Sequence, residues 1–169
     1  MLYIFGGLPA TGKSTLSVAL ARRKNAVYLR IDTIEQAVRD SGLSAEGPVG
    51  YMVGYKIASE NLRLGMSVVA DSVNPIDMTR KAWQHVATQN KIACVEIEII
   101  CSDREEHRSR IELRQSDIRG LKLPTWKAVV EREYEPWNTE HIVVDTAGQT
   151  ENESVSRLFQ AVDDWGIKL

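Results

Sequence analysis

A chain of 169 residues, 43% hydrophobic and 26% charged, has the size and balance of one globular domain with its own core. Its formal net charge of −2 provides no overall attraction to nucleic acid or to an anionic membrane. The longest apolar runs fall well short of the roughly 20 residues that cross a bilayer, and Met1 stands directly against the first predicted strand. No signal or transit peptide is therefore expected, and a cytoplasmic setting is. Cys94 and Cys101 flank the apolar run Val95 to Ile100. At roughly 3.3 Å per residue along a strand they lie too far apart to bridge, so free thiols in a reducing compartment are expected.

Leu2-Tyr3-Ile4-Phe5 reads as a buried strand, and the segment from Thr15 through Arg23 as a helix. Between them, Gly7-Leu8-Pro9-Ala10-Thr11-Gly12-Lys13-Ser14 has the spacing G-x-x-x-x-G-K-S of a phosphate-binding loop, in its strand-then-helix setting. Gly7 and Gly12 permit positive φ angles that bring successive N–H groups to one concave side. The start of the helix, at Thr15, adds unpaired N–H groups and the positive end of its dipole. Lys13 would reach the outer phosphates of a nucleoside triphosphate, and the Ser14 hydroxyl would take one position on Mg²⁺. The loop says nothing about a second substrate.

Ala26 to Ile31 reads as the second strand, ending at Asp32, and Thr33 to Asp40 as a helix. Ser41 to Gly50, with three glycines and Pro48, is a loop; Tyr51 to Leu64 is a helix closed by Gly65. Ser67 to Ala70 is a short strand ending at Asp71. Ser72-Val73-Asn74-Pro75 is a turn, and Asp77 is placed to cap a helix through Asn90. Ile92 to Cys101 is a strand in which Val95, Ile97 and Ile99 alternate with Glu96 and Glu98. Asp103 to Ser116 is a charged helix, Thr125 to Tyr134 another, and His141 to Val144 the last strand, ending at Asp145. Val155, Leu158, Phe159, Val162 and Trp165 form a helical stripe. Strand and helix alternate, which predicts a parallel sheet of about five strands with helices on both faces and a site at the strand C-terminal ends. No repeat or linker divides residues 1–169, so one domain is expected.

Asp32, Asp71 and Asp145 follow three of these strands. Phosphoryl transfer needs one carboxylate near the metal and another to orient the acceptor hydroxyl. Asp32 opens a helix beside a loop and suits the second task. Asp71 ends Val-Val-Ala-Asp and suits Mg²⁺, although the sequence allows the roles to be exchanged. Asp145 reads as a turn residue. Arg104, Arg108, Arg110, Arg114 and Arg119 crowd one interval, with Arg110 and Arg114 at i, i+4 on one helical face. Such arginines neutralise a moving phosphoryl group when carried on a lid, and Gly120 and Pro124 bound a segment that could hinge. Glu105, Glu106 and Glu112 are present to pair with them, which is the competing reading. The tryptophans read as packing residues, Lys122 as a weak signal, and His85, His107 and His141 as no ligand cluster.

These motifs resemble the small P-loop kinases that include polynucleotide 5′-kinase domains, zeta toxins and chloramphenicol phosphotransferase. The resemblance rests on Gly7 to Ser14, Asp32, Asp71-Ser72-Val73-Asn74-Pro75 with Arg80, the R-x-x-x-R of Arg110 to Arg114, Tyr134-Glu135-Pro136, and Val143-Val144-Asp145-Thr146. It implies a three-layer α/β fold with strand order 2-3-1-4-5 and a small helical lid over about residues 104–136. It also implies ATP as co-substrate, Asp32 as base, Arg114 on the nucleotide, and Arg80 on the acceptor side. Polynucleotide kinases tend to carry an arginine three residues after the catalytic aspartate, where this chain has Glu35. A glutamate there is expected to repel a nucleic-acid phosphate, favouring a small neutral or cationic hydroxyl compound.

The sequence thus predicts a kinase acting on a small-molecule hydroxyl. Lys13, Asp32, Arg110 and Arg114 are its catalytic residues. Glu35, Asp71 and Arg80 join Asp32 near the acceptor, and Ser14 and Asp71 hold the metal. A polynucleotide 5′-hydroxyl kinase is the first rival. A nucleotide switch or ATPase without an acceptor is the second, although Asn90-Lys91-Ile92-Ala93 fails the guanine-reading pattern and no L-S-G-G-Q is present.

Overall fold

The computed structural model describes residues 1–166. Five parallel strands form one sheet in the order β2-β3-β1-β4-β5, the order expected from the sequence. The strands are β1 (Leu2–Gly6), β2 (Val27–Arg30), β3 (Val68–Asp71), β4 (Cys94–Ile100) and β5 (Ile142–Asp145). Register places Phe5 of β1 opposite Asp71 of β3, which is itself opposite Arg30 of β2. The C-terminal ends of these three strands are thereby brought level.

Among the described residues six helices connect the strands, α1 (Lys13–Lys24), α2 (Ile31–Asp40), α3 (Val49–Arg63), α4 (Asp77–Gln89), α5 (Arg104–Leu113) and α6 (Trp126–Val130), and α7 (Glu151–Gly166) follows β5. Because strand side chains alternate, the unbroken apolar run of β1 serves two cores. Tyr3 and Phe5 pack with Leu16 and Leu20 of α1 and with Leu158 and Val162 of α7. Leu2 and Ile4 pack on the other face with Ala58 and Leu62 of α3 and with Trp83 and Val86 of α4. Among the described residues no helix is long and apolar enough to cross a membrane. Both cysteines are free thiols.

Several boundaries depart from the sequence reading. Helix α2 begins at Ile31, so Asp32 sits in its first turn rather than at a strand end. Asp77 does not cap α4: it is the first helical residue, its carboxylate ion-paired with Lys81 at 2.6 Å. Helix α5 is shorter than expected, capped by Asp103 and ended where Arg114 turns to an extended backbone (φ −63°, ψ 135°). Arg110 and Arg114 therefore do not share a helical face. Helix α6 stops at Val130, because the chain beyond it leaves the helical path and Tyr134 reaches the sheet, donating to Glu98 at 2.8 Å. The alternation in β4 is real, yet its acidic side is covered. Glu96 is buried and accepts from Gln84 and from Thr139, both at 2.8 Å.

Candidate active site

The phosphate loop follows β1 with the expected backbone. Gly7 has φ 138° and Gly12 φ 91°, and Ala10 joins them at φ 62°. A Cβ on Gly7 would collide with the carbonyl oxygen of Ile99, so glycine is required there twice over. Polar contacts hold the loop's carbonyls outward. The Gly7 N–H donates to Val73 at 3.0 Å, and the Thr11 hydroxyl donates to the Leu8 carbonyl at 3.0 Å. Nε2 of buried His107 lies 2.8 Å from the Pro9 carbonyl, and the Thr146 hydroxyl 2.9 Å from that of Thr11. The Leu8, Pro9 and Thr11 carbonyls are thereby occupied. No side chain caps α1 and its first turn carries no acid, so its free N–H groups and dipole favour an anion.

Beneath the loop lies a network centred on Asp71, which is 1% exposed. Lys13 Nζ stands 3.1 Å from Asp71 Oδ1, the Tyr28 hydroxyl donates to Oδ2 at 2.7 Å, and Arg30 Nε lies 3.9 Å from Oδ2. Burial pushes the Asp71 carboxyl up, but the Lys13 charge and hydrogen bonds from Tyr28, Ser14 and Lys13 outweigh it and hold the group below the ordinary carboxylate range. The same burial, with Asp71 beside it, drives the Tyr28 phenol far upward, so it stays a neutral donor.

A cavity of about 430 Å³ opens over the loop. It is lined by Pro9, Ala10 and Gly12 to Thr15 of the loop, by Asp32 and Val73, and by Arg110 and Arg114. Gly7, Leu8 and Thr11 shape the loop from its far side. Arg110 is tied back: it donates to the Thr146 hydroxyl at 2.8 Å and carbonyl at 2.9 Å, and pairs with Glu106 at 2.6 Å. Asp145 serves the turn after β5, accepting from the Ser102 and Ala147 amides at 3.0 Å each. A second cavity of about 260 Å³ shares Asp32, Val73 and Arg114 with the first and extends to Glu35.

Glu35 is not a bare charge, because Arg39 pairs with it at 3.2 Å. Its carboxyl is nevertheless pushed above the ordinary range, chiefly by burial and then by Asp32, against the opposing pull of Arg39. Arg80 lines neither cavity, contrary to its expected place beside the acceptor. It is 2% exposed and donates to the carbonyls of Glu135 and Pro136 at 3.0 and 3.2 Å, with its guanidinium 4.8 Å from the Trp137 ring centre. Its work is to fasten residues 135–137.

The sequence model of a family described as an AAA domain matches residues 2–132. The chain belongs to that family. No curated protein matches it. Among solved structures, a kinase-like protein from Chloroflexus aurantiacus shares 24% identity at TM-score 0.71, covering 96% of each chain. A gluconokinase from Sinorhizobium meliloti shares 15% at TM-score 0.68, over 96% of this chain and 91% of that one. The Mycobacterium tuberculosis APS kinase CysC, solved with AMPPNP and APS, shares 14% at TM-score 0.66, over 96% of each. At these identities the likeness is one of fold, and the fold is that of the P-loop kinases.

Within this AAA domain, no group of three or more His, Cys, Asp and Glu residues is placed to hold a metal among the described residues. The hydroxyl of Ser14 and the carboxylate of Asp71, whose low value Ser14 helps to hold, are hard oxygen donors. That pair fits Mg²⁺ as an ion completed by phosphate and water. Two contributors escaped the sequence reading. Tyr28 lies on an edge strand with no motif around it, and His107 lacks any partner nearby in the sequence.

Proposed function

We propose that the chain is an ATP-dependent kinase that transfers the γ-phosphoryl group to a hydroxyl of a small molecule. One observation carries this reading: Lys13, Ser14, Asp32, Arg110 and Arg114 line a single cavity. The gluconokinase and APS kinase named above, which share the fold, support it.

The loop amides and the start of α1 would bind the triphosphate, as a preorganised set of donors that need not rearrange. Lys13 would exchange the Asp71 carboxylate for the outer phosphate oxygens. Asp32 would accept a hydrogen bond from the acceptor hydroxyl, aim its oxygen at the γ-phosphorus and take its proton. Arg114, which has no ion-pair partner among the described residues, would meet the charge of the phosphoryl group in flight, and Arg110 would define the nucleotide side of the same wall. Mg²⁺ held at Ser14 and Asp71 would offset charge on the phosphate oxygens. The finer likeness to the zeta toxin and chloramphenicol phosphotransferase group rests on Asp32 and the R-x-x-x-R spacing.

The test is Asp32→Asn, assayed by ADP production against a panel of hydroxyl compounds. Transfer is expected to fall by about 10²- to 10⁴-fold while nucleotide affinity stays near that of the wild type. Full activity in Asp32→Asn would remove Asp32 from its role. Phosphate release that no acceptor changes would favour a nucleotide switch.

A further inference from the structure

We infer that the acceptor carries an anionic group, a carboxylate or a phosphate, bound by Lys122 and Arg132 in the second cavity. The inference rests on the kinase reading above and adds the class of substrate to it. The cavity of about 260 Å³ opens from Asp32, where the hydroxyl would react, and its other charged lining residues are Glu35, Arg39, Arg114, Lys122 and Arg132. Four cations therefore face two carboxylates. Arg39 is spent on Glu35 at 3.2 Å, and Glu35 meets Arg132 through charge alone. Arg114, Lys122 and Arg132 form no ion pair with any described residue; Asp117 meets Arg114, as Glu35 meets Arg132, through charge alone.

These cations come from separate stretches: Arg114 ends α5, Lys122 lies in the connection before α6, and Arg132 follows α6. Charges that only solvate a surface need not converge, whereas these line one recess whose remaining walls include Tyr51, Val73 and Leu123. A recess lined by four cations and two carboxylates, with Tyr51, Val73 and Leu123 among its walls, suits a small molecule with a hydroxyl to present to Asp32 and an anion elsewhere. The recess is too small to enclose an oligonucleotide. Glu35, read alone from the sequence, gave the pocket the opposite sign.

The full-length protein with MgATP should be offered matched pairs: gluconate against glucose for a carboxylate, and glycerol 3-phosphate against glycerol for a phosphate. An oligothymidylate with a free 5′-hydroxyl completes the set. Turnover is read as kcat/KM, and binding by calorimetry in the presence of ADP. In at least one pair the anionic member is expected to lead by about tenfold or more, and that pair identifies the anion. Lys122→Gln with Arg132→Gln should erase the lead through KM, while Arg132→Lys alone should keep most of it.

Equal use of the neutral partners, a lead for the oligonucleotide, or a lead that survives the double substitution would overturn the inference and leave the kinase reading intact. Absence of any transfer would sink the kinase reading, and calorimetry would then decide this inference separately. Anion-selective binding that the double variant weakens about tenfold would uphold it, and no selective binding would overturn it.

Discussion

The phosphate loop and the acceptor recess share Asp32 and Arg114 as a common wall, yet they are made of different materials. The loop is a backbone device. Its shape is set by positive φ angles and by carbonyls that are engaged, at Leu8 by Thr11, at Pro9 by His107 and at Thr11 by Thr146. The recess is a side-chain device, whose long cations project from unrelated stretches. A site of the first kind is rigid before the ligand arrives and tolerates little change. A site of the second kind can be re-lined without disturbing the fold, which is how one scaffold comes to serve different acceptors.

Substitutions can break this contrast, starting with the foundation of the loop. Asp71→Asn leaves the buried Lys13 charge without its carboxylate, while Arg30 keeps Asp117, and should cost about 3–5 kcal/mol, measured by urea unfolding. The wild-type pH profile sharpens the point. The folded Asp71 carboxyl lies below its ordinary value of 3.8, so its contribution is complete above that value and disappears as the pH falls through the lower folded one. Asp71→Asn should flatten that acid limb. Next comes Gly7→Ala, which places a Cβ against the Ile99 carbonyl at φ 138°. A loss of about 1–3 kcal/mol and a matching loss of nucleotide affinity are expected, by thermal unfolding and calorimetry with ATP. His107→Leu should cost least, about 1 kcal/mol, by freeing the Pro9 carbonyl, and should show as a higher KM for ATP. If such changes to the loop proved as harmless as surface substitutions in the recess, the distinction between the two sites would fail.

The same distinction explains what could be read in advance. Gly7 to Ser14 is contiguous, so its spacing alone announces its conformation. Alternating strand and helix predicted a parallel sheet, and family likeness alone supplied its strand order. The recess was illegible because nothing in the sequence ties Lys122 and Arg132 to Glu35; only the fold brings them together. Glu35 suggested a repulsive pocket because Arg39, one helical turn away, had not been counted as its partner. Arg80 misled for the opposite reason. It follows the Asp71 to Pro75 motif closely in sequence, but α4 turns it towards Glu135 and away from the cavity. The span of α5 was overestimated because a charged helical pattern continues past Leu113 while the backbone does not.

The stretch that leads from α6 towards β5 is fastened at successive residues. Tyr134 donates to Glu98, the Glu135 N–H donates to Pro75 at 2.8 Å, Arg80 grips residues 135 and 136, and the Trp137 ring fills the space over Gly6. Residues 134–137 thus form a rigid hem on the sheet, and the Arg30 to Asp117 clasp at 2.6 Å ties the connection between α5 and α6 to β2.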